Sequence, residues 1–260
     1  MPHIDKHPAG SFSWLELGTS DQAAAKSFYG ALFGWEANDF PMGPDGHYTM
    51  FQIDGRDAAA CYQLGPQMAG VPPNWALYIA VDSADQAAGR AAELGGTVLK
   101  PAFDVSTFGR MAVIQDPTGA VFCIWQAKTN TGIGIAGVPG TLCWADLNTP
   151  DRDRARAFYE GLFGWSMTTG KSKDPSSYLH ILNGESGIGG ILPEEYRNKH
   201  APPHWMPYIL VSDCDASTAK AKDLGATIYA PPTTVGESLR FSVLADPQGA
   251  VFALSTAFRS

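Results

Sequence analysis

The sequence predicts an α+β protein of four βαβββ modules, which form two tandem halves with cupped mixed sheets. The chain repeats itself at a constant offset of 130 positions, so that Trp14 recurs as Trp144 and Trp35 recurs as Trp165. Residues 12–19 alternate in character as a strand does, and a segment with helix-capping signals follows them. Because half of the chain duplicates the other half, a function has to be assigned to two related units.

The first module begins with a strand at residues 12–19, which carries Glu16 on one face. Ser20 or Asp21 is expected to cap a helix that ends at Gly34. Residues 36–47 are rich in Pro, Gly, Asn and Asp and predict a loop. Two strands are then expected at 48–53 and 58–64.

The second module repeats this plan after a Pro-rich break. Asp116 and Gly119 bound an Asp-Pro-Thr-Gly turn that leads into an apolar strand. The elements are expected to be a helix at 85–94 and strands at 75–81, 97–99, 110–115 and 121–126.

The repeat divides the chain into two predicted domains. The first covers residues 1–128, with modules at about 10–65 and 73–127, and the second covers residues 141–260, with modules at about 141–195 and 203–258. Residues 129–140 are rich in glycine and form the expected linker. Each module covers one sheet face with its helix and leaves the other face to line a cup. Modules could pair within one half or exchange between halves or chains.

Composition excludes several classes of partner. The net charge is -8 and the basic residues are dispersed, which argues against nucleic acid and anionic membranes. No segment has the apolar length of a membrane span or a signal core, so we expect a cytoplasmic protein. The four cysteines do not follow the repeat, and reduced thiols are expected. The expected partner is a small molecule, and the chain is expected to be a monomer or homodimer.

The ordered motifs resemble those of the vicinal oxygen chelate (VOC) superfamily, which includes glyoxalase I, extradiol dioxygenases and bleomycin-binding proteins. The resemblance covers nearly the whole chain and is closest to tandem actinobacterial members labelled glyoxalase-like, hydroxylase or, in mycobacteria, secreted antigen. Its marks are an Asp-Pro-x-Gly turn before an apolar strand and a helix motif, each present twice. The first copy of the helix motif consists of Asp21, Ala25, Phe28, Tyr29, Leu32, Phe33, Gly34 and Trp35.

The resemblance implies a metal site whose ligand positions are altered here. Metal-dependent members carry His or Glu on the first strand of each module and Glu after the Asp-Pro-x-Gly turn. A divalent ion needs three or four nitrogen or oxygen ligands, so we expect no metal and no cofactor. The corresponding residues in this sequence are Trp14, Trp144, Ala76, Met206, Cys123 and Ala253.

Glu16 and Asp146 are the candidate catalytic residues, because each shares a strand face with a tryptophan. A carboxyl group next to an indole would have a raised pKa and could act as a general base or bind a ligand hydroxyl or cation. A structural ion pair is the alternative, and Arg110 and Arg240 are the candidate partners. These arginines could instead bind an anionic group.

The remaining candidates are ligand-binding residues on the same strands. Tyr78 and Tyr208 could donate hydrogen bonds to a ligand, although buried tyrosines are often packing residues. Cys123 could face Cys61 across the first cup, with small buried hydrophobic residues as the alternative. His180 lies opposite Met50 or Phe51 in the repeat and is more often a structural residue than a catalytic one. The complete ligand-binding set is Trp14, Tyr78, Cys123, Trp144, His180, Met206 and Tyr208.

Three functions remain open at this point. The first is a metal-free binder of a small, aromatic or polycyclic molecule in one or both cups. The second is a metal-free isomerase, lyase or hydroxylase that uses Glu16 or Asp146 as general base. The third is an interaction protein whose cups are vestigial. On side-chain volume, Ala76 makes the first cup roomier than the second, where Met206 stands.

Overall fold

The computed structural model describes residues 3–42, 46–174, 176–236 and 239–256. Residues 43–45 of the predicted loop and the outermost residues of the two predicted domains, 1–2 and 257–260, lie outside this part. The described chain contains two mixed eight-stranded sheets and four α-helices, so the predicted α+β class with tandem cupped sheets is confirmed. The predicted domain limits stay predictions. No described helix has the length and apolar character needed to cross a bilayer.

The first sheet contains the strands and helices of residues 12–127. Its strand order is β2-β3-β4-β1-β5-β8-β7-β6, and the two modules join where β1 and β5 pair in antiparallel fashion. Module pairing therefore occurs within this half. The elements are β1 Phe12–Thr19, α1 Gln22–Phe33, β2 Glu36–Met42, β3 Gly46–Ile53, β4 Arg56–Gln63, β5 Asn74–Ala80, α2 Ala84–Glu93, β6 Thr97–Val105, β7 Gly109–Gln115 and β8 Val121–Ala127.

The second sheet repeats this order as β10-β11-β12-β9-β13-β16-β15-β14. Its central strands β9 and β13 pair in antiparallel fashion, as β1 and β5 do. The elements are β9 Leu142–Asn148, α3 Arg152–Phe163, β10 Ser166–Thr168, β11 Leu179–Asn183, β12 Ser186–Ile191, β13 His204–Leu210, α4 Cys214–Asp223, β14 Thr227–Val235, β15 Leu239–Ala245 and β16 Val251–Ser255.

Helix α1 has the predicted ends. The Asp21 side chain accepts a hydrogen bond from the Ala24 N–H at 2.9 Å and thereby caps the first turn. Gly34 ends the helix with a φ of 74°, in the left-handed region that favours glycine. Asp151 and Gly164 give α3 the same ends. The side-chain cap and the positive φ explain why these two residue types bound both helices.

The prediction of a loop over residues 36–47 was wrong, because residues 36–42 form the edge strand β2. Every residue of β2 is exposed, so no alternation of apolar and polar residues marks it as a strand. Pro41 is tolerated because β2 pairs with β3 alone and an edge strand does not need every N–H. The strand predicted at 97–99 likewise extends to Val105.

The two halves share one hydrophobic core. Buried residues of both halves belong to a single packed cluster, in which Phe28 and Tyr29 of α1 lie against Phe252 of β16. Phe122 of β8 packs in the same way against Tyr159 of α3. The helices therefore cover the core faces of both sheets, and the opposite faces form the two cups.

A hydrogen-bonded chain of Trp, Tyr and Asp crosses the boundary between the halves. Trp75 Nε1 donates to Tyr29 Oη at 3.1 Å, and Tyr29 Oη donates to Asp246 Oδ2 at 2.9 Å. The aspartate belongs to the Asp-Pro-x-Gly turn of the opposite half. The duplicate chain runs from Trp205 through Tyr159 to Asp116, with distances of 2.8 and 2.9 Å. Both tryptophans are buried.

Tyr29→Phe is expected to lower the free energy of unfolding by about 1–3 kcal/mol, because it leaves buried polar groups of Asp246 and Trp75 without a partner. Urea denaturation measures the change. Tyr229→Phe serves as the control, since Tyr229 is 62% exposed and its loss should cost less than about 0.5 kcal/mol. Equal stability of the two variants would contradict the idea that the Trp-Tyr-Asp hydrogen bonds hold the two halves together.

Candidate functional site

The strand register places the candidate carboxylates at the centre of each cup. Glu16 on β1 is in register with Ala60 on β4 and Ala76 on β5. Ala60 in turn pairs with Met50 on β3. Neighbours across a sheet share a face, so these four side chains line the floor of the first cup. The equivalent row in the second cup consists of His180, Gly190, Asp146 and Met206.

Both oxygens of the Glu16 carboxylate accept hydrogen bonds from tyrosines. Tyr48 Oη donates to Oε1 and Tyr78 Oη donates to Oε2, each at 2.7 Å. Trp14 Nε1 donates to Tyr48 Oη at 3.0 Å and fixes that hydroxyl. Burial raises the pKa of Glu16, and the two tyrosine hydrogen bonds partly offset this rise. Glu16 itself is half-buried.

The second carboxylate has the same partners in a tighter arrangement. Tyr178 Oη donates to Asp146 Oδ1 at 2.5 Å, and Tyr208 Oη donates to Oδ2 at 2.7 Å. Trp144 Nε1 lies within hydrogen-bonding distance of both Tyr178 Oη, at 2.7 Å, and Asp146 Oδ1, at 3.1 Å. Asp146 is only 3% exposed, and this burial raises its pKa. Three donors surround this carboxyl group.

The shorter side chain of Asp146 is matched by a smaller neighbour. A Cβ atom added at Gly190 would lie 1.9 Å from Tyr178 Oη, so only glycine admits the tyrosine at this position. The first cup has Glu16 and Ala60 where the second has Asp146 and Gly190. Tyr178 therefore lies over Gly190 of β12, where its hydroxyl reaches the carboxyl group of Asp146, whose side chain is one methylene shorter than that of Glu16.

Tyr48 and Tyr178 are further candidate site residues, which the sequence alone did not indicate. They are related by the 130-position repeat, as Glu16 and Asp146 are, and each lies two positions before a floor residue, Met50 or His180. Alternation along the strand puts Tyr48 on the same face as Met50, which is the signal that could have found it. Their contacts with Glu16 and Asp146 depend on the register between separate strands, which a single segment of sequence does not determine.

Neither predicted arginine pairs with a cup carboxylate. Arg110 forms a salt bridge with Asp85 at 2.8 Å and also contacts Asp104, and Arg240 forms the equivalent bridge with Asp215. Arg110 lies at the start of β7. Its side chain reaches Asp85 in the first turn of α2, on the face of the sheet that the helices cover. The hypothesis that Arg110 and Arg240 compensate Glu16 and Asp146 was wrong.

The suggested pairing of Cys61 with Cys123 across the first cup was also wrong. Cys61 is in register with Leu17, and its neighbours include Gln22 and Thr49, so it lies on the helix side of the sheet. Cys123 pairs with Tyr78 and lies on the cup face. Burial raises the pKa of Cys61 to about 11 and that of Cys123 still higher, which leaves both as neutral thiols. All four cysteines are free.

His180 and Met206 occupy different depths of the second cup. Met206 is 8% exposed and packs in a small cluster with Trp144, Tyr208 and Ala253. His180 is exposed, with its ring centroid 4.9 Å from that of Tyr178. Position 180 is thus equivalent to Met50. The structure brings His180 next to the carboxylate cluster without a hydrogen bond between His180 and Asp146 in the described set.

The side chains of the cups do not fit a divalent metal ion. Each cup floor offers one carboxyl group, Glu16 or Asp146, whereas a divalent ion needs three or four nitrogen or oxygen ligands. Within the described ranges, no group of three or more His, Cys, Asp or Glu residues is placed to hold an ion. Trp14, Ala76 and Cys123 stand at the altered positions in the first cup, and the buried thiol is protonated. These side chains are better suited to hydrogen bonding with a ligand than to coordination of a metal ion.

The Glu16 side chain can take part in hydrogen bonding and proton transfer. A carboxylate oxygen has two lone pairs, so each oxygen of Glu16 can accept a second hydrogen bond from a ligand beside the one from tyrosine. With its raised pKa, Glu16 can also accept a proton. Aromatic rings of Trp14, Tyr48 and Tyr78 surround it. Such a site suits a molecule with an aromatic surface and donor groups.

Two of the surface cavities lie outside the carboxylate sites. One, of about 250 Å³, is lined by Lys6, His7 and Asp82 and meets the end of the first cup at Trp125. The other, of about 190 Å³, is lined by Phe33 and residues of the second half at the boundary between the halves. Neither includes Glu16 or Asp146 in its lining.

Comparisons with known proteins agree with the duplicated architecture. A family model described as Glyoxalase/Bleomycin resistance protein/Dioxygenase superfamily matches residues 11–124 and again residues 141–254. The chain is 39% identical over 256 residues to CFP32 of Mycobacterium tuberculosis, a provisionally named glyoxylase, and the match covers 98% of this chain and 97% of that protein.

Two further similarities concern biosynthesis and fold. The chain is 34% identical over 258 residues to the anthracycline biosynthesis protein DnrV of Streptomyces peucetius, with 94% of this chain and 92% of that protein covered. The Mn(II)-bound glyoxalase from Novosphingobium aromaticivorans has a TM-score of 0.67 at 17% identity, over 96% of this chain and 83% of that one. At this identity the structural match shows a common fold.

Gly190→Ala is expected to displace Tyr178 from Asp146 and to cost about 1–3 kcal/mol of stability, because the added methyl group meets the tyrosine ring. Urea denaturation measures this cost. Adding Asp146→Glu should recover part of it, since the pair then matches Ala60 and Glu16 of the first cup. Ala60→Gly is the control and should cost about 0.5–1 kcal/mol. A double variant no more stable than Gly190→Ala alone would contradict the size matching.

Proposed function

The chain belongs to the Glyoxalase/Bleomycin resistance protein/Dioxygenase superfamily, and on that premise we propose that it binds a small, aromatic or polycyclic molecule in one or both cups without the usual metal of the family. The observation that carries the proposal is the half-buried Glu16 carboxylate, held between Tyr48 and Tyr78 with no cation among its described partners. Free lone pairs on this carboxylate can accept hydrogen bonds from a ligand.

The aromatic lining supports a flat, aromatic ligand. In the first cup Tyr78 contacts Trp125 with ring centroids 6.4 Å apart in an edge-to-face arrangement, and Trp14 lies beside Tyr48. Aromatic pairs with such geometry attract additional rings in the same edge-to-face or offset-stacked manner. DnrV is named for the biosynthesis of anthracyclines, and its similarity to this chain favours a polycyclic molecule.

The side-chain chemistry of the first cup supports a function without a metal. The positions that would carry His or Glu ligands hold Trp14, Ala76 and Cys123 in the first cup, and the thiol of Cys123 has a strongly raised pKa because it is buried. The one carboxyl group left, that of Glu16, falls short of the three or four nitrogen or oxygen ligands that a divalent ion needs. The cup thus supplies hydrogen-bond acceptors to a ligand in place of ligands to an ion.

Catalysis without a metal is the second candidate function. Burial raises the pKa of Glu16 and of Asp146, which makes both carboxylates stronger bases than exposed ones. Glu16 is the better placed of the two, because it is half-buried and a substrate C–H or O–H can approach it. Isomerase, lyase or hydroxylase-type chemistry on the bound molecule is compatible with such a base.

Glu16→Gln is expected to weaken binding of 1,8-dihydroxyanthraquinone, a polycyclic phenol, by about tenfold or more, because a hydrogen bond to a charged acceptor contributes about 1.5–3 kcal/mol. Titration calorimetry at neutral pH measures the affinity. Glu36→Gln is the matched control, since Glu36 is exposed on β2. The binding proposal fails if the wild-type protein binds none of a panel of such phenols, and the role of Glu16 fails if both variants bind equally.

The same titration over a range of pH tests the charge state of Glu16. Its pKa is raised by burial, so protonation on acidification begins at a higher pH than for an ordinary glutamate. Affinity should be greatest above this raised pKa and should fall as the pH drops through it, because the protonated carboxyl group accepts fewer hydrogen bonds. The Glu16→Gln variant should show a flat profile. Conversion of a bound molecule to product in the wild type, lost in this variant, would favour the enzyme over the binder.

Dialysis against a chelator is expected to leave both the affinity for the phenol and the melting temperature unchanged. Added Mn²⁺, Zn²⁺ or Ni²⁺ should likewise cause no rise in melting temperature, since a ligand that binds only the folded state would raise it. Elemental analysis of the dialysed protein gives an independent measurement. A stoichiometric metal, or a metal-dependent gain in stability that Glu16→Gln removes, would overturn the metal-free site.

A further inference from the structure

We infer that the first cup alone receives the ligand and that the second cup is closed by its own side chains. This inference rests on the proposed binding function and assigns it to one of the two duplicated sites. It follows from three differences between positions that the repeat makes equivalent. They concern the carboxyl groups, the residues beside them and the end of each cup.

The two carboxyl groups differ in access. Glu16 is half-buried, whereas Asp146 is 3% exposed. In the first cup Trp14 Nε1 is bonded to Tyr48, while in the second Trp144 Nε1 reaches both Tyr178 and Asp146. A ligand could therefore approach Glu16 directly, but it would have to displace a tyrosine or an indole to reach Asp146.

The floor beside the second carboxyl group is filled. The hydroxyl of Tyr178 lies over Gly190, at 1.9 Å from the place where a Cβ would be, so it occupies the room that the glycine leaves. On the other side Met206 is buried against Trp144 and Tyr208. Its equivalent in the first cup is Ala76, which is half-buried and whose single methyl group fills less of the floor next to Glu16.

The aromatic residue at the end of each cup also differs, since Trp125 contacts Tyr78 in the first cup and Phe241 contacts Tyr208 in the second. Trp125 lies flat against Gly109, whose added Cβ would be 2.3 Å from the indole ring, and its Nε1 donates to Asn130 O at 3.0 Å. The repeat places Ser255 and Leu239 at the equivalent positions. Because Trp125 contacts Tyr78, its indole extends the aromatic surface that Tyr48 and Tyr78 form around Glu16.

Exchange of the floor residues between the cups tests the assignment. Ala76→Met gives the first cup the residue of the second, and Met206→Ala does the reverse. Titration calorimetry with 1,8-dihydroxyanthraquinone is expected to give one site per chain for the wild type, at least about tenfold weaker binding for Ala76→Met, and unchanged stoichiometry and affinity for Met206→Ala. Thermal unfolding shows whether each variant is folded.

If Ala76→Met does not fold, a second pair of variants tests the same assignment. Glu16→Gln should weaken binding, whereas Asp146→Asn should change stability and leave the affinity as it was. Two sites per chain, or a loss of binding in Met206→Ala or Asp146→Asn with none in their first-cup counterparts, would overturn the assignment while the binding function stands. A wild-type protein that binds no phenol of the panel would overturn the proposed function, and with it this assignment.

Discussion

The buried carboxylates of the two Asp-Pro-x-Gly turns determine how the molecule is assembled. Asp116 and Asp246 each accept backbone N–H groups of their own turn and a tyrosine hydroxyl from the helix of the other half. A buried carboxylate is stable only with such a complete set of donors. The turn therefore fixes the opposite helix, the helices lie in one shared core, and the remaining sheet faces are free to form cups.

The carboxyl group in each cup, Glu16 or Asp146, is likewise stabilised by hydrogen-bond donors. Desolvation raises the pKa of Glu16 and Asp146, and tyrosine donors offset part of its cost. In the second cup the donors enclose the carboxyl group, while in the first they leave it half-buried. Small exchanges, such as Ala60 for Gly190, thus separate two sites that share an origin and a plan.

Local patterns predicted most of the fold, and contacts between distant strands account for what they missed. The repeat and the caps at Asp21 and Gly34 predicted modules and helices, because both are encoded by neighbouring residues. Strand β2 escaped prediction because its exposed residues carry no alternation. Tyr48, the partners of Arg110 and the face of Cys61 depend on register, which no single segment determines.

The crossed contacts of two tryptophans have a consequence for ancestry. Trp35 donates to the carbonyl oxygen of Gly140, and Trp165 donates to that of Gly10, so each half binds the segment that leads into the other. Reciprocal bonds of this kind are those of a two-fold symmetric pair. A lone ancestral half could have made the same bond by pairing with a second copy of itself. Gene duplication and fusion would then have made that dimer a single polypeptide and allowed its two sites to diverge.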